Sequence, residues 1–273
     1  MDSVQLRVLC GDILLRSPGP RYGRHMSSPA DAAVLDAAEP TRFRVALNRF
    51  LFRAMLFSSG AVAIALYQVS RPLSWRFAKL QARNLMRMCG VKVRVQGLER
   101  LGPGPYIFAP NHQSHFDIAA LLGLLPGITR FAAKREMFAE PVLGAVLRTM
   151  GMIAIDRDDP LASIERLQQV TLDGGSLVIF PEGTRSRDGE LLPFRKGAFV
   201  AAIHLGVPIV PVTCKGTTRI MPKGKYLSIL PGVAELVIGE PIATAGLGYD
   251  DRDRLRETVR AQIAAELAQP IGA

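Results

Sequence analysis

Two short stretches of this 273-residue chain carry side chains that could run a proton-transfer reaction. The first is Pro110-Asn-His-Gln-Ser-His-Phe-Asp117. His112 is the candidate base and Asp117 its candidate partner. A five-residue step on a regular helix turns by about 500°, so the two side chains would not share a helical face. They meet only if His112 lies in a turn ahead of the helix. Ser114 then reads as the N-cap and Asp117 as the N3 residue, a relative of the capping box. Asp117 would accept a hydrogen bond from one imidazole nitrogen, and the other would be free to take a proton from a substrate hydroxyl. This is the base-and-orienter half of serine-hydrolase chemistry, with the nucleophile supplied by the substrate. A structural histidine beside a helix-capping aspartate fits the same residues. A metal site built on His112, His115 and Asp117 is disfavoured. The two histidines lack the i,i+4 spacing of a helical zinc pair, and no further His or Cys cluster is near in sequence.

The second stretch is Phe180-Pro-Glu-Gly-Thr-Arg-Ser186. Glu182 and Arg185 bracket the turn-forming Gly183, and Thr184 and Ser186 add hydroxyls. A turn with exposed amides, a guanidinium and two hydroxyls suits a phosphate; a charged surface turn is the plainer alternative. Phe194-Arg-Lys-Gly197 follows and adds two cations before the next helix. Two further blocks accompany these. Gly151-Met-Ile-Ala-Ile-Asp-Arg157 ends a strand on Arg157, a second phosphate candidate. Val207-Pro-Ile-Val-Pro-Val212 is an apolar strand with two prolines, which suits a core strand as well as an acyl contact.

The elements that must hold these groups follow an α/β rhythm from Val91 onward. Apolar strand patterns occur at Val91–Val95, Tyr106–Ala109, Thr129–Ala133, Met152–Ile155, Leu177–Phe180, Ile209–Thr213 and Glu235–Ile238. Helical patterns occur at Ser114–Leu125, Val142–Met150, Ala162–Leu172, Lys196–Leu205 and Arg252–Ala268. Alternation of this kind predicts a mixed, largely parallel sheet flanked by helices. There is no internal repeat, no glycine-rich phosphate loop and no GxSxG elbow.

Ahead of that domain the text is different. Residues 1–40 sustain no apolar period and read as a poorly organised tail without signal-peptide features. Residues 41–90 read as a membrane-docking helical pair, and residues 91–273 as the α/β domain. Phe50 to Val69 is nearly continuous apolar, broken by Arg53; its charge-free part, Ala54 to Val69, is 16 residues, short of the ~20 of a comfortable span. After Arg71-Pro72, the stretch Leu73 to Met88 mixes Trp75, Phe77, Leu80, Leu85 and Met88 with Arg76, Lys79, Arg83 and Arg87. It reads as an interfacial helix with Trp75 and the arginines at headgroup level. A soluble helical hairpin is the alternative.

Charge supports the lipid reading. Residues 1–100 hold 16 Lys/Arg against 6 Asp/Glu, and residues 101–273 hold 18 of each, so the whole net charge of +10 lies in the first hundred. A basic and apolar segment predicts an anionic membrane surface as partner. Nucleic-acid binding would also suit a pI near 10.0, but no nucleic-acid motif is present. A non-catalytic lipid-binding module would have no use for the His112/Asp117 pair. Hydrophobic residues make up 48% of the chain, too few for a polytopic membrane protein. The three cysteines, Cys10, Cys89 and Cys214, are widely spaced and predict free thiols in a reducing compartment.

Together the four blocks resemble the glycerolipid acyltransferase family of the 1-acylglycerol-3-phosphate acyltransferase type. Its first motif, NHxSxxD, is matched by Asn111 to Asp117, its second, GxIxIxR, by Gly151 to Arg157, and its third, FPEGTRS, by Phe180 to Ser186. The apolar, proline-bearing fourth is matched by Val207 to Val212, in the same order. The resemblance implies a general base at His112 and an orienting Asp117. It implies a lysophospholipid acceptor held through Glu182, Gly183, Thr184 and Arg185, with Arg157 and Lys134 as further contacts. The donor would be acyl-CoA or acyl carrier protein, with no other cofactor. The expected place is the cytoplasmic face of the inner or plasma membrane. Glycerol 3-phosphate, another lysophospholipid or a lyso-ornithine lipid remain alternative acceptors. The N-terminal 40 residues have no counterpart in the motif set.

Overall fold

A computed structural model describes residues 41–156, 160–222 and 229–272. The 1–40 tail and Arg157 lie outside the described residues. The described residues open with one long helix, α1 (Arg42–Val69), capped by the Thr41 hydroxyl, which accepts from the Arg44 amide at 3.2 Å. Its 28 residues give a rod of about 42 Å, longer than the Phe50–Val69 run alone predicts, because it begins at Arg42, eight residues ahead of that run. The rod is long and apolar enough to cross a membrane, and only 6% of its most apolar window is buried. Ser70 breaks it in an extended conformation and caps α2 (Arg71–Met88), whose first turn holds Pro72. The chain then doubles back. Arg44 donates to the Met88 carbonyl at 3.0 Å, and the Asn48 amide donates to the carbonyls of Cys89 (3.1 Å) and Ile229 (2.8 Å).

This pairing corrects the expectation for Trp75. The indole is 3% exposed and packs with Ala63 of α1 and Met150. Ala82, Leu85 and Met86 of α2 are also buried. The apolar stripe of α2 is therefore spent on the protein itself. Within the hairpin the described residues leave Phe43, Phe50, Val62 and Val69 of α1 and Leu73, Leu80 and Met88 of α2 exposed.

The seven predicted strands all form: β1 (Val91–Gln96), β2 (Ile107–Pro110), β3 (Thr129–Lys134), β4 (Ile153–Ile155), β5 (Ser176–Val178), β6 (Ile209–Lys215) and β7 (Gly232–Ile238). They make one sheet in the order β1-β7-β6-β2-β5-β3-β4. Every pairing is parallel except β6 with β7. The sheet is thus mixed and largely parallel, as the alternation of patterns predicts. The remaining helices are α3 (Phe116–Leu124), α4 (Pro141–Thr149), α5 (Pro160–Leu172), α6 (Gly197–Leu205), the single turn α7 (Thr217–Ile220) and α8 (Arg252–Leu267).

Helices cover both faces, so the central strands are buried on both sides, as parallel sheets require. Successive β2 side chains point to opposite faces. Phe108 joins Leu85, Met86, Phe116 and Leu121 beneath α2 and α3. Ile107 and Ala109 join Leu167, Phe199, Val259 and Ile263 beneath α5, α6 and α8. The chain leaving β2 crosses the first face as α3, and the chain leaving β5 crosses the second as α6. Between two such neighbouring strands, in the crevice at their carboxyl ends, is where α/β sheets place their sites.

Candidate active site

The loop that follows β2 begins with Asn111, which is buried. Its amide nitrogen donates to the Cys214 carbonyl at 3.1 Å, and its carbonyl oxygen accepts from the Cys214 amide at 2.7 Å. This pair extends the β2–β6 ladder by one side-chain rung and fixes where the next residue, His112, leaves the sheet. The Cys214 thiol itself is fully buried. Burial, with the Asp117 and Glu182 charges, pushes it well above its ordinary range, so it is no nucleophile.

His112 and Asp117 meet as the turn argument predicts. Imidazole Nδ1 lies 2.9 Å from Asp117 Oδ2. The same carboxylate oxygen accepts from the backbone amides of Gln113 and Ser114, both at 2.8 Å. Asp117 is 0% exposed, and its three donors all come from the turn that presents His112. With a carboxylate as acceptor, Nδ1 holds the imidazole proton and Nε2 presents its lone pair. The ring is further held by Phe180, stacked at 3.9 Å between centroids and 25° between planes.

The helix start differs by a residue or two from the expected one. Helix α3 begins at Phe116 with His115 at the N-cap position. Gln113 and Ser114 stay in the turn because Asp117 holds both of their amides. The Ser114 hydroxyl still accepts from the Phe116 amide (3.2 Å) while donating to the Met221 carbonyl (2.9 Å).

The Phe180–Ser186 loop closes over the His112 turn from the neighbouring strand. The Ser186 amide donates to the His112 carbonyl at 2.8 Å, and Gln113 donates to the Gly189 carbonyl at 2.9 Å. Glu182 departs from the expected substrate contact. It is 3% exposed and turned into the protein. Its Oε1 accepts from the His112 amide at 2.6 Å and its Oε2 from the Leu192 amide at 3.2 Å. Burial lifts its carboxyl to about 7; the two amides pull the other way, the Asp117 charge adds to the rise, and Arg260 opposes it. Both oxygens accept from backbone amides, so Glu182 ties the two motifs together behind His112.

The other predicted residues that the structure describes are exposed or partly exposed. Gly183 adopts φ +64, a left-handed conformation that glycine permits. Thr184 is exposed and Arg185 half-buried beside it. Lys134 is exposed at the carboxyl end of β3, paired in register with Ile155 of β4. Arg157 lies outside the described residues. Asn111, Phe180, Gln113 and Leu192 were not legible as site residues. The first three lie in or beside the motifs, but their roles depend on non-local partners.

Comparison with known proteins places this arrangement. The family model described as Acyltransferase matches residues 92–215. The chain is 40% identical over 176 residues to a chloroplastic 1-acyl-sn-glycerol-3-phosphate acyltransferase of Brassica napus, covering 62% of this chain and 51% of that one. It therefore spans about half the length of that relative. Over 220 residues it is 34% identical to a 1-acyl-sn-glycerol-3-phosphate acyltransferase of Limnanthes douglasii, covering 74% of this chain and 77% of the relative. The crystal structure of the 1-acyl-sn-glycerophosphate acyltransferase of Thermotoga maritima superposes with a TM-score of 0.69 at 24% identity, covering 84% of this chain and 98% of that one, and so shares the fold. The histidine turn, the loop that closes on it and the sheet that carries both belong to a shared ancestry: this chain is a member of the acyltransferase family that includes the 1-acyl-sn-glycerol-3-phosphate acyltransferases.

Proposed function

We propose that the protein transfers a fatty acyl group from a thioester donor to the free hydroxyl of 1-acylglycerol-3-phosphate, giving phosphatidic acid. The observation that carries this reading is the His112–Asp117 contact at 2.9 Å, which leaves Nε2 as the acceptor nitrogen at the strand-end crevice. The acceptor hydroxyl gives its proton to Nε2 as its oxygen attacks the thioester carbonyl carbon. The tetrahedral intermediate then expels the thiolate, which takes the proton back from the imidazolium. A thioester is already activated, so the step needs no enzyme nucleophile. Asp117 stabilises the imidazolium and holds its orientation. Acyl-CoA and acyl carrier protein are both thioesters of the same pantetheine chemistry, and either serves this mechanism.

The acceptor phosphate is assigned to the Gly183–Thr184 turn, Arg185 and Lys134, with Arg157, outside the described residues, as a further candidate from the sequence. The exposed apolar side chains of α1 embed the chain in the bilayer, and the basic residues of the same segment face the anionic headgroups, on the cytoplasmic side. A lysolipid partitioned in that bilayer would reach the crevice without crossing water.

The test is acyl transfer from oleoyl-CoA to 1-acylglycerol-3-phosphate by membranes carrying the wild type or His112→Ala. Transfer by the wild type and its loss in the variant is the expected result. Transfer retained by His112→Ala would remove the base and the mechanism. Transfer by the wild type only to other lysolipids would move the acceptor assignment.

A further inference from the structure

The segment after the second motif loop places a cation that neither the dyad nor the motif pattern uses. Arg195 is exposed, and its backbone amide donates to the Pro181 carbonyl at 2.8 Å. Its side chain runs across the face of Gly183. A Cβ built on Gly183 would lie 2.9 Å from Arg195 Nε and 3.0 Å from its Cδ. The glycine therefore does two things: it permits φ +64 and leaves the space in which the Arg195 side chain lies. The charge is uncommitted. Among the described residues Arg195 has no ion pair, although its neighbour Lys196 reaches Asp253 at 3.9 Å. The cation that acts on the Glu182 carboxylate is Arg260. The segment is also anchored to the base, since Glu182 accepts from both the His112 and Leu192 amides. Arg195 thus stands over the turn whose next residues, Thr184 and Arg185, are assigned to the acceptor phosphate.

We infer that Arg195 is a second arginine of the acceptor-phosphate site, reaching the phosphate across the face of Gly183. This rests on the acyl-transfer reading above. Two guanidinium groups at one turn, one carried by it and one lying across it, match the several oxygens of a phosphate better than one can. A side chain at Gly183 would displace the Arg195 stem, in addition to straining the backbone at φ +64.

The experiment compares wild type, Arg195→Gln and Arg195→Lys in mixed micelles, with steady-state kinetics in acceptor and in donor. Loss of one charge-assisted contact from an exposed side chain should raise the KM for 1-acylglycerol-3-phosphate about tenfold. It should leave kcat within about twofold and the donor KM unchanged. Arg195→Lys, which keeps the charge and loses the fork, should fall between the two, and it serves alone if Arg195→Gln does not fold. Inhibition by glycerol 3-phosphate, a phosphate probe without an acyl chain, should weaken in parallel. Unchanged acceptor KM, or an effect confined to kcat or to the donor KM, overturns the assignment. If the wild type acylates no lysolipid, the acyl-transfer reading falls by itself. Arg195 is then judged by thermal stabilisation with glycerol 3-phosphate: a shift lost in Arg195→Gln supports the site, and an identical shift in both proteins overturns it.

Discussion

Replacing Glu182 by glutamine separates two roles that the motif alone leaves merged. If the carboxylate contacted the acceptor, the variant would raise the acceptor KM. The structure instead gives both oxygens to backbone amides, at His112 and Leu192. Glutamine keeps one acceptor oxygen and turns an NH2 toward the second amide, which leaves a buried donor facing a donor. That mismatch costs about 1–3 kcal/mol and loosens the turn that carries the base. The expected kinetic result is a fall in kcat of about tenfold or more, with the acceptor KM within about twofold. A raised KM at constant kcat would refute the positioning role.

The same substitution has a pH signature. In the folded state the Glu182 carboxyl titrates near 7, against an ordinary 4.5. Between those values the folded protein holds a proton that the unfolded chain has released. Its contribution is therefore fully present below about 4.5 and is lost as pH rises through about 7. Integrating the two titrations from pH 6 to pH 8 gives a loss of about 1 kcal/mol that Glu182→Gln does not share. For a domain of this size that is about 2–4 °C in Tm. Thermal unfolding of both proteins in detergent at the two pH values measures it. A wild type and variant whose Tm values move in parallel would refute the burial argument.

Three further substitutions test the rest of the site. Asp117→Asn should lower kcat by about 10²- to 10⁴-fold, the range of general-base assistance, and also lower stability, because the Gln113 and Ser114 amides lose a charged acceptor; kinetics and thermal unfolding on one preparation would show both. Phe180→Ala removes the ring stacked at 3.9 Å on His112 and should lower kcat severalfold while leaving both KM values near wild type. Asn111→Ala strips both side-chain bonds from Cys214 and should cost about 2–4 kcal/mol, read as a drop in Tm.

How far the sequence reveals these features depends on whether the determinant is local. The seven strands and the helices of the α/β domain are legible because alternation and apolar periodicity are local properties of segments that the fold simply buries. The His112–Asp117 contact is legible for a related reason: the five-residue spacing permits it only in a turn. Glu182 is misread because its partner amides lie 70 and 10 residues away. Nothing near a carboxylate in sequence says that it will be buried. Trp75 fails in the same way. Its amphipathic stretch is correctly helical, but the side that meets lipid depends on where α1 packs, and α1 with Met150 takes the indole.

That packing also changes how the basic N-terminal segment uses its charge. Read as sequence, the surplus faces lipid headgroups. In the fold part of it faces inward. Lys79 donates to the carbonyls of Leu125 and Gly127, and Arg83 to that of Gly123 at 2.6 Å. Burial, with the nearby Arg83 charge, lowers the Lys79 pKa. The Gly123 and Leu125 carbonyls lie at the end of α3, where a helix presents unpaired acceptors and negative dipole charge. Gly123 brings the two helices close, since a Cβ there would lie 3.0 Å from Met86 and 3.3 Å from Ala82. Helix α3 is thus held at its carboxyl end by α2, and its first turn carries Asp117, which in turn holds His112. One short rod joins the helical hairpin to the proposed base, so the hairpin positions the dyad.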